Sequence, residues 1–127
     1  MDLDLTDNLT ALADEHLALA RHSDHGRSAH LFLRDGPLRQ SVIALTEGAE
    51  LEEHSAPPAA SLQVLRGRVR LRTDAGAVEL EAGQVMRVPQ ARHALGALLD
   101  SVVLLTSVTA TPEPVVVYDT RRVGNPA

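Results

Sequence analysis

Short apolar segments separated by turn residues fill most of the chain beyond residue 28, and this pattern constrains the fold more than any other feature. The segments span residues 29–34, 38–46, 51–54, 61–66, 68–73, 77–81, 84–88, 93–98 and 101–109. Glycine or proline separates many of them, and Asp74-Ala75-Gly76 is typical of a hairpin turn. Eight or nine short strands at this spacing predict a mainly β chain folded as an antiparallel barrel or sandwich.

The segment before residue 29 has helical periodicity instead. Five residues fall on one face of such a helix, and they are Leu5, Leu9, Leu12, His16 and Leu19. Thr6 or Asp7 can cap its start, and Gly26 lies where it should have ended. Because a helix of about 15 residues is not stable alone, it must pack on the strands or on a second subunit.

Two stretches between residues 48 and 93 repeat one arrangement, a glycine followed after five residues by a residue suited to a site. The matching positions are Gly48, His54 and Gly67 in the first stretch and Gly83, Pro89 and His93 in the second. These paired motifs resemble those of the cupin family. The resemblance implies a small antiparallel barrel (a double-stranded β-helix, or jelly roll), here with an additional N-terminal α-helix.

The resemblance also implies where a metal ion would be held. The family's first motif carries His-x-His and a later Glu, because alternate residues of a strand face the same side. Here His54 matches the first histidine, whereas Ala56 and Ala60 occupy the positions of the second histidine and the glutamate. In the second motif Ala91 replaces a glycine, and His93 comes one residue early. The metal ligands implied by the resemblance are therefore His54 and His93.

Two imidazoles leave such a site incomplete, since catalytic metal sites usually have three protein ligands. His30, Gln40, Glu52 or Glu53 would have to complete it around one divalent transition metal ion, Fe, Mn, Ni, Cu or Zn. In the alternative interpretation, both histidines lie at the barrel mouth and bond to carbonyl groups or water. The early position of His93 either is absorbed in the turn or rotates the side chain to the outer face.

Two further clusters have a functional and a structural interpretation. His22 and His25 could chelate a metal if the helix continued through both, but Asp24 and Gly26 favour a solvated helix end. His16 lies on the apolar stripe and is expected in a core or an interface.

Arginine occupies alternate positions of one predicted strand. These residues are Arg66, Arg68, Arg70 and Arg72. They predict either an anion-binding stripe, or a structural role in which the arginines form one solvated face of a sheet or pair with Glu79 and Glu81 across a hairpin. The second interpretation is favoured.

Composition excludes several classes of protein. The chain of 127 residues has no cysteine, which removes disulfides and thiolate chemistry. A net charge of -5 and an aromatic content of 2% argue against nucleic-acid binding. No apolar run reaches the roughly 20 residues of a membrane span, and the N-terminus lacks the basic start of a signal peptide. A cytoplasmic protein that binds no membrane is expected.

These observations divide the chain into a helical segment at 1–28, a barrel at 29–110 and a C-terminal extension at 111–127 with a possible strand at 115–119. The helix and the apolar residues 115–118 both need a surface to cover them, so a homodimer is predicted.

Three functions are compatible with the sequence. The favoured one is a binding module that holds a small molecule or a loosely bound metal inside the barrel. The second is a metal-dependent enzyme, a dioxygenase or an isomerase, that uses His54 and His93. The third is a sensory or assembly protein without catalysis, whose helix contacts another subunit.

Overall fold

The computed structural model describes residues 4–53 and 57–109, and for Glu53 the backbone alone. The elements are α1 Leu9–Arg21, β1 Arg27–Asp35, β2 Leu38–Leu45, β3 Glu50–Glu53, β4 Ala59–Arg66, β5 Arg68–Thr73, β6 Gly76–Glu81, β7 Val85–Arg87, β8 His93–Ala97 and β9 Ser101–Val108. Each predicted strand up to residue 109 is confirmed within a few residues. The possible strand at 115–119 lies outside the described residues.

The strands form two antiparallel sheets that enclose one core. The five-stranded sheet has the order β1-β2-β9-β4-β7, and the four-stranded sheet has the order β3-β8-β5-β6. Consecutive strands of the chain repeatedly cross between the sheets, as in a jelly roll. The predicted architecture of a mainly β barrel with an N-terminal helix is confirmed. The described residues contain no helix long and apolar enough to cross a membrane.

Aliphatic side chains from both sheets fill the barrel. The buried residues of this core are Ile43, Leu45, Leu62, Val64, Val69, Leu71, Leu80, Val88, Leu95, Ala97 and Val103. Alternate positions of β2, β4, β5 and β8 contribute most of them, because successive side chains point to opposite faces of a sheet. The interior face of these strands is thereby fixed, and this orients the candidate site.

Helix α1 packs on the outer face of the five-stranded sheet. Its residues Ala13, Leu17 and Ala20 are buried against strand residues that include Val42 and Val102. The small alanine side chains allow the helix to approach the sheet closely. The helix therefore covers its own barrel, one of the two surfaces predicted for it.

The predicted helix start and stripe are partly wrong. Asn8 is the N-cap, and its side chain accepts a hydrogen bond of 3.0 Å from the backbone N–H of Ala11, so neither Thr6 nor Asp7 caps the helix. Leu5 precedes the helix and is 86% exposed, and Leu19 is 51% exposed. The buried face of the helix is rotated toward Ala13 and Ala20. A pattern based on the spacing of leucines does not detect these alanines.

Gly67 forms the junction where the chain passes from β4 in one sheet to β5 in the other. Its φ is +83°, and a Cβ built there would lie 2.3 Å from the carbonyl oxygen of Asp100. A contact that short with backbone cannot be relieved by rotating a side chain. The close approach of two backbones explains why this motif position holds glycine.

Candidate functional site

His93 faces the inside of the barrel. It begins β8, which lies between β3 and β5, and two residues later Leu95 is in register with Leu51 and Leu71. Leu95 and Leu71 are core residues, and Leu51 packs against them. Because His93 shares their face of the sheet, it points inward, and it lines the barrel cavity. The one-residue shortening before His93 is therefore absorbed in the turn.

A hydrogen bond fixes which nitrogen of His93 carries the proton and which keeps a lone pair. Nδ1 lies 2.9 Å from the carbonyl oxygen of Ala91. A carbonyl oxygen can only accept, so Nδ1 carries the proton and donates it. In the neutral imidazole, Nε2 is then left with a lone pair that can accept a hydrogen bond or bind a metal.

The cavity beside His93 is small and otherwise apolar. Its volume is about 30 Å³, and the other lining residues are Ile43, Leu51, Pro57, Ala60, Leu62, Val88, Leu95 and Leu105. This space accommodates about two water-sized groups. Ala60 contributes a methyl group at the position where the cupin resemblance implies a glutamate ligand. The wall there offers apolar contact instead of an oxygen.

Among the other predicted ligands, Glu52 is the one described side chain that lines a space together with His93, and that space is a cleft outside the barrel cavity. His54 and Ala56 lie outside the described residues. The backbone of Glu53 is in register with His93, whereas Glu52 is in register with Ala94 and lines an outer cleft. Ala60, which occupies the position of the first motif's glutamate, is the described residue of that motif's ligand positions that lines the cavity.

His30 and Gln40 belong to the outer face of the five-stranded sheet. His30 is in register with Val42, which packs under helix α1, and its ring stacks on that of His16 at 5.3 Å between centroids. Gln40 donates a hydrogen bond of 3.0 Å to the Thr106 hydroxyl across the neighbouring strand. The hypothesis that either residue completes a metal site inside the barrel is wrong.

The donor set of the described residues does not fit a transition metal. No group of three or more His, Asp or Glu side chains in residues 4–52 and 57–109 is arranged to hold an ion. His93 supplies a single imidazole, and three protein ligands are the usual minimum for a catalytic centre.

A charged cleft lies beside His93 at the same end of the barrel, and the sequence did not predict it. Its volume is about 280 Å³. His93 and Ala94 line it together with Glu52, Arg72, Thr73, Asp74 and Arg92. His93 therefore borders both the apolar cavity and the charged cleft. Glu52 and Arg72 are far apart in the chain, and strand register places both of them beside Ala94.

The arginines of β5 form ion pairs, as the favoured interpretation predicted. Arg70 donates to Glu79 at 2.6 Å, and Arg68 lies 3.6 Å from the same carboxylate. The hydrogen bond from Arg70 holds the pKa of Glu79 below its ordinary value. Glu81 is in register with Arg68, but no ion pair joins these two described residues.

The other two arginines reach other elements. Arg72 of β5 lies 2.9 Å from Glu50 on β3. Arg66 ends β4 in the other sheet and pairs with Asp14 on the helix, so the prediction that one strand carries all four arginines is wrong. Each of the four guanidinium groups thus has a carboxylate partner within the chain. The three arginines of β5 lie on a solvated, ion-paired sheet face, which supports the favoured interpretation over an anion-binding stripe.

The N-terminal histidines have structural roles. His16 is 8% exposed and its Nδ1 lies 2.7 Å from the Ser28 hydroxyl, so its prediction as a core residue is confirmed. The helix ends at Arg21, and His22 bonds through Nδ1 to the carbonyl oxygen of Ala18. The end of the helix before His25 supports the solvated end over a chelating pair.

Comparisons with known proteins connect this geometry to a fold. No protein-family model matches the sequence, and no curated protein is similar to it. Solved structures are similar. A cupin-2 domain protein from Shewanella frigidimarina has a TM-score of 0.61 at 12% identity, over 81% of this chain and 94% of that one. A protein of unknown function from Streptococcus pyogenes has a TM-score of 0.66 at 21% identity, over 87% and 92%.

An enzyme is also among the similar structures. A salicylate 1,2-dioxygenase from Pseudaminobacter salicylatoxidans has a TM-score of 0.67 at 16% identity, over 77% of this chain but 33% of the dioxygenase. Identities this low carry information about the fold alone. Together with the two sheets, their strand order and the inward His93, these similarities show that the chain has the cupin fold.

Proposed function

We propose that this protein binds a small molecule through a compact apolar group placed in the barrel cavity and a proton donor that bonds Nε2 of His93. The observation that carries the proposal is the position of His93 in an otherwise apolar cavity, with Nδ1 held by the carbonyl of Ala91. Apolar walls favour burial of an apolar group, and one convergent polar atom fixes its orientation.

The size of the cavity limits the buried group. A volume of about 30 Å³ takes about two water-sized groups, so we choose a small branched alkyl group, isopropyl, as the apolar group to test. Isobutanol is therefore a suitable neutral probe, since it combines an isopropyl group with one hydroxyl. We expect saturable NMR shifts at Leu62, Leu95 and Leu105 during titration, because these residues line the cavity.

A variant pair tests the role of His93. His93→Ala removes the acceptor, and we expect isobutanol affinity to fall about 5- to 10-fold, the usual effect of one hydrogen bond. His25→Ala changes an exposed histidine outside the barrel and should leave affinity unchanged. Absence of saturable shifts at the cavity residues would contradict the proposal.

The metal-dependent enzyme is the second candidate, and it is favoured by the inward-facing His93, whose Nδ1 is held by the Ala91 carbonyl so that Nε2 keeps a lone pair. Elemental analysis of protein purified without chelator tests it, with a His54→Ala/His93→Ala double variant as comparison. Stoichiometric Fe, Mn, Ni, Cu or Zn that disappears in the variant would favour the enzyme. Metal-free protein after incubation with each ion would favour the binding module.

We also propose that the protein is a homodimer. Leu38 and Val108 are register partners at the end of β2 and β9, and they are 37% and 38% exposed. Apolar side chains of this kind on one sheet support contact with a second copy. Light scattering at micromolar concentration should give twice the monomer mass, and a monomer would overturn the proposal. The helix packs on its own barrel, so it no longer supports the assembly hypothesis.

A further inference from the structure

We infer that Gln90 is a positioning residue that limits the size of the apolar group admitted to the barrel cavity. It acts through Pro57, which lines the cavity together with His93. The inference rests on the proposed function, because the wall at Pro57 selects among groups that enter this cavity. It adds a specificity to that function: a small branched alkyl group is accepted, and one with a further methyl group is rejected.

Two hydrogen bonds join the side chain of Gln90 to the segment at Pro57. Nε2 of Gln90 donates to the carbonyl oxygen of Pro57 at 2.7 Å and to the carbonyl oxygen of Pro58 at 2.8 Å. A side-chain amide carries two N–H donors, so one proton serves each carbonyl. Because two successive carbonyl groups are held, the contact fixes the orientation of the Pro57 ring as well as its position.

Pro57 is held differently from the rest of the cavity wall. The other lining residues, apart from Val88, belong to β2, β3, β4, β8 and β9, whose ladders hold them in place. The backbone N–H of Val88 donates to the carbonyl oxygen of Ala60 at 2.9 Å. Proline has no backbone N–H to donate. The bonds from Gln90 therefore do for Pro57 what backbone bonds do for the other walls.

Pro57 is also the wall at which the cavity can most readily enlarge. It precedes β4, and along that strand Ala60 and Leu62 line the cavity, whereas Val64 is fully buried in the core beyond them. The strand walls are packed against this core and resist displacement. A cavity of about 30 Å³ has little excess space, so a larger group needs Pro57 to move.

Two alcohols that differ by one methyl group test the inference by NMR titration of the full chain. Isobutanol carries an isopropyl group on its hydroxyl-bearing carbon, and neopentyl alcohol carries a tert-butyl group there. We expect the wild type to bind isobutanol about 10-fold more tightly, because the additional methyl group overpacks the cavity. Gln90→Ala releases Pro57 and should reduce this preference to about 3-fold or less.

Gln84→Ala is the matched control. The side-chain oxygen of Gln84 accepts a hydrogen bond of 2.9 Å from the backbone N–H of Glu81. Gln84 precedes β7 and Gln90 follows it, so the two glutamines lie at opposite ends of the barrel. Gln84→Ala also removes a bond between a glutamine side chain and the backbone, but it should keep the wild-type preference for isobutanol.

Gln90→Glu adds a pH dependence that a merely structural role would not produce. A carboxylate only accepts hydrogen bonds, so at pH 7 it repels both carbonyl groups and should lower the preference as Gln90→Ala does. Below about pH 4 the carboxyl group is protonated and can donate one bond. The preference of Gln90→Glu should therefore rise in acid, relative to the wild type and Gln90→Ala at the same pH.

The outcomes separate the inference from the proposed function. If isobutanol binds in the cavity but the wild type shows no preference, or Gln90→Ala keeps the wild-type preference, the inference is overturned and the proposed function stands. The same holds if Gln84→Ala loses the preference as well, or if Gln90→Glu does not recover in acid. If neither alcohol shifts the cavity residues of the wild type, the proposed function is overturned and the inference with it.

Discussion

The two sheets of the barrel share one aliphatic core, but their outer faces differ in chemistry. One is apolar and covered by the helix, and the other is charged and exposed. On the five-stranded sheet, Val42, Ala44 and Val102 face outward and are fully buried beneath helix α1. On the four-stranded sheet, Arg70 and Glu79 occupy the outer face and remain in contact with water. The comparison teaches that the covered face contributes stability through removal of apolar surface, whereas the charged face contributes the cleft beside His93.

The largest loss of stability is expected when the packing of the helix on the five-stranded sheet is disrupted. Leu17 is 4% exposed in the helix–sheet cluster, so Leu17→Ala should lower the free energy of unfolding by about 3 kcal/mol through lost burial and a cavity. Leu19→Ala is the matched control on the same helix. Leu19 is 51% exposed, and its loss should cost about 0.5 kcal/mol or less. Equal losses in urea denaturation would mean that the helix does not pack on the sheet as described.

An intermediate effect is expected at Asp100, which links the helix end to the barrel. Its carboxylate accepts a 2.9 Å hydrogen bond from the Glu47 backbone N–H and pairs with Arg21 at 3.0 Å. The Glu47 hydrogen bond and then Arg21 hold its pKa below the ordinary value. Asp100→Asn should cost about 1 kcal/mol at pH 7, since the group is partly exposed and screened.

The pH dependence of this loss has a definite sign. A lowered folded-state pKa means that ionised Asp100 stabilises the fold above the ordinary pKa of an aspartate. The contribution disappears as pH falls below about 4 and through the folded-state value, because the carboxylate is then protonated. The difference between wild type and Asp100→Asn should therefore shrink in acid. Asp24→Asn, at an exposed position beyond the helix, is the control and should show no such pattern.

The smallest effect is expected on the charged face. Glu79→Gln removes the partner of Arg70, but both side chains are exposed, at 38% and 45%. Exposed ion pairs are screened by salt and contribute little. The urea midpoint should fall slightly at low salt and match wild type at high salt. A large loss that persists in high salt would contradict the assignment of this face as solvated.

Much of the fold could be predicted because its signals are local. Alternation of apolar residues and turn residues located the nine strands of the described residues, and the resemblance of the paired glycine motifs predicted how the strands assemble. The helix was located but its buried face was misplaced, because leucine spacing indicates a stripe while the sheet selects the side chains that fit closest. Ala13 and Ala20, which face the sheet, carry no such spacing signal.

The candidate site was less predictable. The metal ligands His54 and His93 remain a prediction, with His93 alone among the described residues. The orientation of His93 depends on register with β3 and β5, strands about 40 and 20 residues away in the sequence. The charged cleft depends on the same register. In the sequence alone, each of its charged residues looks like an ordinary surface residue.

The sequence by itself determined the mainly β architecture and the helix before it. Periodicity and backbone conformation are properties of neighbouring residues, so they are visible without a structure. Only the tertiary structure decided that His93 faces inward, that α1 covers its own barrel, and that Glu52 and Arg72 flank Ala94. These arrangements arise from pairing between distant strands, which no short stretch of sequence specifies.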